Sequence, residues 1–426
     1  MDSTNPNSTR SSLSRAFQLR EAVLMVFRDP VPAELTRLLH LSHKEWQPLL
    51  SWLDTSGLAL YFLDRMKALN RLDTMPEPIL DRLRKNLADN SRRIDGMIAE
   101  SVALQRRFQD AGLSYAVLKG FSLWPISVPK LELRSQIDLD FLVAEEHASE
   151  ARRILESTGY ELTAMAGESG RSWEFETGEN YAPSLDNLYK SGMRRSTDLH
   201  IEVVDASGAS RLSRTEQVSF HGVNMPVLSP VDLFLGQGLH VYQHVCCEHV
   251  RSAHLLEFYR HVIARRRDGV FWSRLRERVA DDEETCVRLG MVILLISRLM
   301  GRFAPEELTR WTVGRLSATA TLWVDRYGTR TALASFPGTK LYLLLQEEMK
   351  PMGLAAKRSR VQALLPSRLP RLIARSVPGQ TFSTRMKQYQ IQVGFCCFRA
   401  RFHLVEGVRY LCESILWRQH MNRVSQ

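Results

Sequence analysis

The residues best suited to chemistry are Asp138 and Asp140, in the run Gln136-Ile137-Asp138-Leu139-Asp140-Phe141-Leu142-Val143. On an extended strand, side chains two apart share a face, so the two carboxylates project together while Ile137, Leu139 and Phe141 fill the opposite side. Carboxylates that close repel each other. The usual remedy is a divalent cation held by oxygen ligands, and Mg²⁺ typically takes one or two carboxylates plus substrate phosphates. Asp198 opens a second alternating strand, Asp198 to Val204, with His200 and Glu202 on its own face and Leu199, Ile201 and Val203 on the other. Three acids from two strands, with two metals, would align an attacking hydroxyl with a nucleotide α-phosphate and stabilise the leaving pyrophosphate. An Asp-X-Asp triplet alone is common on edge strands, so its surroundings decide.

Upstream lies Leu118-Lys119-Gly120-Phe121-Ser122, a strand end followed by a basic residue, a glycine and a hydroxyl. A glycine lets backbone amides approach a phosphate closely, and a helix start beyond it adds favourable partial charge. Arg134, four residues before Asp138, could bind a triphosphate bidentately. Lys119 and Arg134 would each pass for ordinary surface charge; their occurrence together and in this order is what favours function. His200 would border any metal site, there to orient an acceptor or act as a base, or else simply pack.

The ordered segments YAVLKGFSL, RSQIDLDFLV and TDLHIEV resemble the uncharacterised bacterial nucleotidyltransferase family of the DNA polymerase beta-like nucleotidyltransferase superfamily, over about residues 80 to 265. That likeness implies an α+β fold built on a small polymerase-beta-like core of mixed sheet and helices. It implies Asp138 and Asp140 as metal ligands, Asp198 as the third acid, and Gly120 with Ser122 as a phosphate-binding turn. The cofactor would be Mg²⁺ or Mn²⁺, and the donor an NTP, ATP being favoured, held by Lys119, Gly120, Ser122 and Arg134. Many superfamily members carry Gly-Ser directly adjacent, whereas here Phe121 intervenes. The acceptor, a hydroxyl or amine on a small molecule, sugar, protein or RNA, is not legible, because a site that organises phosphates does not fix the second substrate. The alternative is a non-catalytic nucleotide-sensing or interaction protein on a degenerate core, against which the three retained acids argue. Kinase-like γ-phosphoryl transfer is set aside, since neither a P-loop nor the HRD and DFG signatures occur.

His240, His244, Cys247, His249 and His254 crowd one expected helix, about Val231 to Arg265. His240 and His244, four apart, share a helix face at a spacing that can bind zinc. The HExxH glutamate is missing and sequence fixes no further ligand, so the preferred reading is a helix beside the catalytic sheet that lends a histidine or Arg251 to the pocket.

These elements sit in a chain of 426 residues, too long for one compact core. Its 44% hydrophobic and 24% charged residues exclude a disordered or collagen-like polymer. The expected order is a loose polar tail (1–15), an N-terminal helical region (16–112), the catalytic core (113–228), a helical domain (229–350) and a basic helical C-terminal region (351–426). Within the core, Tyr115 to Leu118 reads as a buried strand, Glu146 to Ser157 as a helix, and the polar stretch Gly167 to Thr197 as a hairpin plus loop or a lid. Six scattered cysteines match neither a disulfide framework nor a zinc motif, which suggests free thiols in a reducing cytoplasm. The longest apolar run, Met291 to Ile296, is closed off by Arg288 and Arg298, far short of a membrane span. The whole of the +10 net charge lies beyond residue 350, where 13 Lys and Arg face only Glu406 and Glu413, a surplus of +11 against −1 for the rest. Such a tail could meet an anionic partner, whether nucleic acid, membrane or a phosphorylated protein. Its helix from Arg401 to Arg418 could lie on a membrane, but is preferred as the last helix of a bundle, burying a wide apolar stripe.

Overall fold

The computed structural model describes residues 15–166, 171–177, 188–191, 195–202, 210–349, 360–365 and 381–424. Most of the expected tail, much of the polar stretch expected as a hairpin plus loop or a lid (Gly167 to Thr197), the last two residues of the strand expected over Asp198 to Val204, and most of the basic stretch between 350 and 380 lie outside these residues. The architecture is α+β: a mixed sheet of seven described strands with helices on one face and a larger helical body beside it. The strands are β1 (Tyr115–Leu118), β2 (Asp138–Val143), β3 (Glu161–Ala166), β4 (Ser172–Thr177), β5 (Arg195–Ile201), β6 (Thr215–Phe220) and β7 (Val223–Leu228). Their order is β3-β4-β5-β2-β1-β7-β6. The β2–β5 and β1–β7 pairs are parallel and the rest antiparallel.

The alternation expected of β2 is realised, and it divides the sheet chemically. Leu139, Phe141 and Val143 join Tyr115, Val117, Phe175 and Leu199 in a core against two of the helices. These are the long α4 (Glu77–Asp110), through Ile94 and Phe108, and α5 (Ala148–Ser157), through Ala151 and Leu155. On the other face Ala116, Leu142 and Leu228 form a small apolar patch at one end, and the aspartates occupy the other. Ile137, expected on the apolar side, is instead 44% exposed. It precedes the strand, because the Gln136 amide donates back to the Arg134 carbonyl at 2.9 Å and turns the chain before the ladder begins.

The helical body joins segments far apart in sequence. Before the sheet come α1 (Arg15–Met25), α2 (His43–Ser56) and α3 (Ala59–Ala68). After it come α6 (Pro230–Val245), α7 (Ser252–Ala264), α8 (Gly269–Arg278) and α9 (Glu283–Met300). Leu24, Trp46 and Phe62 share one core with Phe234, Phe258, Leu289 and Leu295, so the stretches 16–112 and 229–350 meet in a common interior. Local signals place the ends. A capping box of Ser42 and Glu45 starts α2, Gly57 closes it at φ +77°, and Ser229 with Pro230 starts α6.

Two helix expectations are corrected. The single helix over 231–265 is broken into α6 and α7. No proline or glycine marks the break. The Glu248 carbonyl is taken by the Thr339 amide at 2.9 Å, and the Cys246 carbonyl by Gln346 Nε2 at 3.1 Å, so partners from a remote segment satisfy the turn better than helix continuation would. The C-terminal helix Phe382–Val424 does not bury a wide stripe. Only Phe402, Tyr410 and Trp417 pack inward between Arg401 and Arg418, while Leu404 is 70% and Ile415 61% exposed, because its apolar residues encircle the helix rather than lining one side. All six cysteines are free thiols. No described helix is long and apolar enough to cross a membrane.

Candidate active site

The site begins with strand register. β2 and β5 run parallel and pair Asp140 directly with Asp198, so the two carboxylates stand on the same rung of neighbouring strands. The antiparallel pairing of β4 with β5 sets Glu174 beside Asp198 on the same rung, and Ser172 beside His200. Ligand atoms of Asp140, Asp198 and His200 all lie within 4.8 Å of one another. His200 Nε2 lies 3.0 Å from Asp140 Oδ1, and its Nδ1 is 3.4 Å from Ser172 Oγ.

Lys119 closes the site from β1. Its Nζ donates to Asp140 Oδ1 at 2.7 Å. The chain leaves β1 through two residues at positive φ, Lys119 at +47° and Gly120 at +36°. The lysine tolerates this because Asp140 fixes its side chain. Gly120 has a stricter reason to lack a Cβ: a methyl there would overlap the Gln136 side chain. Gln136 in turn donates from Nε2 to the Asp138 carbonyl at 2.8 Å and accepts from Arg134 Nη1 at 3.3 Å, bracing the start of β2.

Charge follows from this crowding. Burial alone would raise Asp140, but the Lys119 ammonium and His200 outweigh it and hold the carboxyl well below the ordinary range. Burial would lower Lys119, yet Asp140, with Asp138 and Asp198 behind it, keeps its ammonium charged above its usual value. Asp138 is pushed up by burial and by Asp140. For Asp198 the pull of His200 and Lys119 is the weaker influence, and burial plus the charges of Asp140 and Asp138 raise it to about 7. The cluster therefore holds more negative charge than its own lysine neutralises.

Asp138 sits one rung pair back and outside the tightest group, under the electrostatic influence of Arg93, Arg134 and Arg251. Arg134 does not stand open. Its Nε donates to Glu257 Oε1 at 3.1 Å, and Tyr61 Oη donates to the same oxygen at 3.0 Å. Arg251 Nη2 donates to Ser135 Oγ at 2.9 Å, which bears on the expectation that the helices after the sheet would lend groups to the pocket. Ser122 is buried, and its Oγ donates to the Lys119 carbonyl at 2.8 Å, where it shapes the turn. The structure thus brings together Lys119, Asp140, Asp198 and His200, with Asp138 adjoining. It sets Gly120, Ser122 and Arg134 in the supporting framework. Sequence reasoning missed Glu174, which fell within the stretch expected as a hairpin plus loop or a lid, and Glu257, Tyr61 and Arg93, which come from remote helices with no local signal. A cavity of about 350 Å³ opens beside the starts of β2 and β5, lined by Arg92, Arg93, Glu100, Ile137 and Arg195.

A mixed sheet bearing a carboxylate cluster at the centre of a helical α+β molecule defines the class of protein. The chain belongs to the family described as uncharacterised nucleotidyltransferase, whose model matches residues 42–300. No curated protein matches it. Among solved structures it is similar to an antigenic nucleotidyltransferase-like protein from Paracoccidioides brasiliensis, at 12% identity and a TM-score of 0.29, covering 47% of this chain and 93% of the other.

Proposed function

We propose that the protein transfers a nucleoside monophosphate from an NTP, ATP being the favoured donor, to a hydroxyl or amine acceptor, on a polymerase-beta-like core. The observation that carries this reading is the rung-for-rung pairing of Asp140 with Asp198 beside Lys119. The donor set fits Mg²⁺ or Mn²⁺. The ligands would be carboxylate oxygens of Asp138, Asp140 and Asp198, and the lysine ammonium on Asp140 already stands where a cation is needed. When bound, such an ion would neutralise charge on the attacking and leaving oxygens.

The chain's own residues have definable work around it. Asp198, paired with Asp140 across the β2–β5 ladder, is the group that would help activate the acceptor hydroxyl or amine. His200 holds Asp140 in orientation through its Nε2. Lys119, relieved of Asp140 by another cation, is free to reach a phosphate oxygen. Arg134 and Arg251, fixed by Glu257 and Ser135, supply fixed positive potential for the triphosphate.

The test is a labelled-nucleotide assay with extract fractions as acceptors, followed by mass spectrometry for an added NMP. Asp138→Ala and Asp140→Ala are expected to abolish transfer and Mg²⁺-dependent NTP binding. If both variants kept both properties, the assignment would fail. Nucleotide binding that never releases pyrophosphate with any extract would favour the sensing alternative.

A further inference from the structure

We propose that His240, His244 and His254 form a second metal site, a three-histidine centre for Zn²⁺ or a similar transition metal with one coordination position open. This goes beyond nucleotidyl transfer and does not depend on it. His240 and His244 lie one turn apart on α6, and the break before α7 folds His254 back against them. The three ring centroids are 4.6, 4.7 and 5.0 Å apart with planes inclined at 77°, 64° and 53°, so the rings converge instead of stacking. One ligand nitrogen from each lies within 4.8 Å of the others. At Zn–N distances of about 2.0–2.1 Å, tetrahedral geometry needs these nitrogens about 3.3 Å apart, which small ring rotations supply.

Two further observations favour a metal over simple packing. His254 is 8% exposed, and its Nδ1 is shut from solvent with no hydrogen-bond partner, a cost that packing alone leaves uncompensated. His244 Nδ1 lies 3.4 Å from the His249 carbonyl, the kind of outer contact that fixes the tautomer of a ligating imidazole and leaves Nε2 for the ion. Cys247 is not a fourth ligand, since its thiol donates to the His244 and His249 carbonyls at 3.1 and 3.2 Å.

Donor chemistry separates this centre from the carboxylate cluster, because imidazole nitrogen selects zinc-like ions and carboxylate oxygen selects magnesium-like ones. His240 and His244 remain half-exposed, which leaves room for a fourth, exogenous ligand.

The experiment uses the full chain, stripped with a chelator and titrated with Co²⁺ and Zn²⁺. One equivalent of Co²⁺ should bind with the visible d–d spectrum of a four-coordinate nitrogen site and be displaced by Zn²⁺. His240→Ala and His244→Ala, chosen because those side chains are half-exposed, should each weaken binding about 100-fold or more and remove the spectrum. Asp140→Asn and Asp198→Asn should leave the spectrum in place, which separates this proposal from the nucleotidyl-transfer reading. Failure to bind a stoichiometric equivalent would overturn it, as would a spectrum that survives both histidine variants or disappears with the aspartate variants.

Discussion

Asp198→Asn offers the most informative single change, because it should damage function while strengthening the metal-free fold. Burial and the charges of Asp140 and Asp138 lift the Asp198 carboxyl from its ordinary 3.8 to about 7. For an acid whose folded pKa is raised, native and unfolded chains are both protonated below the ordinary value, and no penalty exists there. Between the two values the unfolded chain has lost its proton and the native chain still holds one, so stability falls as pH rises and levels off above about 7. At ~1.36 kcal/mol per unit the full shift is worth about 4 kcal/mol; about a third of the group meets solvent, and screening reduces this to about 2 kcal/mol. Asparagine carries no charge and escapes the penalty. In EDTA, the variant should match the wild type near pH 4 and be more stable by about 2 kcal/mol at pH 8, read as a denaturation midpoint shift at constant slope. With Mg²⁺ added the order should reverse, because only the wild type gains binding free energy. A variant no more stable than wild type at pH 8 in EDTA, or a gap that ignores pH, would refute the reasoning.

Glu257→Gln should destabilise by about 2–4 kcal/mol, since it leaves the buried Arg134 guanidinium without its counter-charge. If Arg134 serves the triphosphate, the same variant should raise KM for NTP more than it lowers kcat. Gly120→Ala should cost about 1–3 kcal/mol from its positive φ and the overlap with Gln136, with transfer reduced at least tenfold as the lysine turn shifts. Gly290→Ala, where a methyl would meet the Thr312 carbonyl at 2.6 Å, should lower the denaturation midpoint by a similar amount yet leave activity per folded molecule unchanged.

The central strand and its acids were legible because period-two alternation is a local property: Asp138 and Asp140 on one face against Leu139 and Phe141 on the other requires nothing beyond β2 itself. That Asp198 could supply a third acid was readable from its alternating strand and from the resemblance, but its direct pairing with Asp140 was not, because parallel register is set by long-range pairing. Glu174 was invisible for a related reason. Its strand is rich in polar residues and flanked by glycines, so it reads as a loop until β5 pairs with it. The break between α6 and α7 had no local signal either, since the groups that satisfy its carbonyls come from Thr339 and Gln346. Arg134 shows a further limit. Sequence offers it as a group that could bind a triphosphate bidentately, and carries no sign that a glutamate far along the chain also holds its guanidinium.

Parallel pairing of β2 with β5 also decides where the gene cannot be shortened. Deleting one residue between Arg195 and Asp198 would rotate the aspartate into the greasy layer beneath α4 and lift Leu199 into its place. A single lost codon there is ruinous, and the connection just before it is tied down too, since Tyr189 is buried with its hydroxyl donating to Asp54 Oδ1 at 2.9 Å.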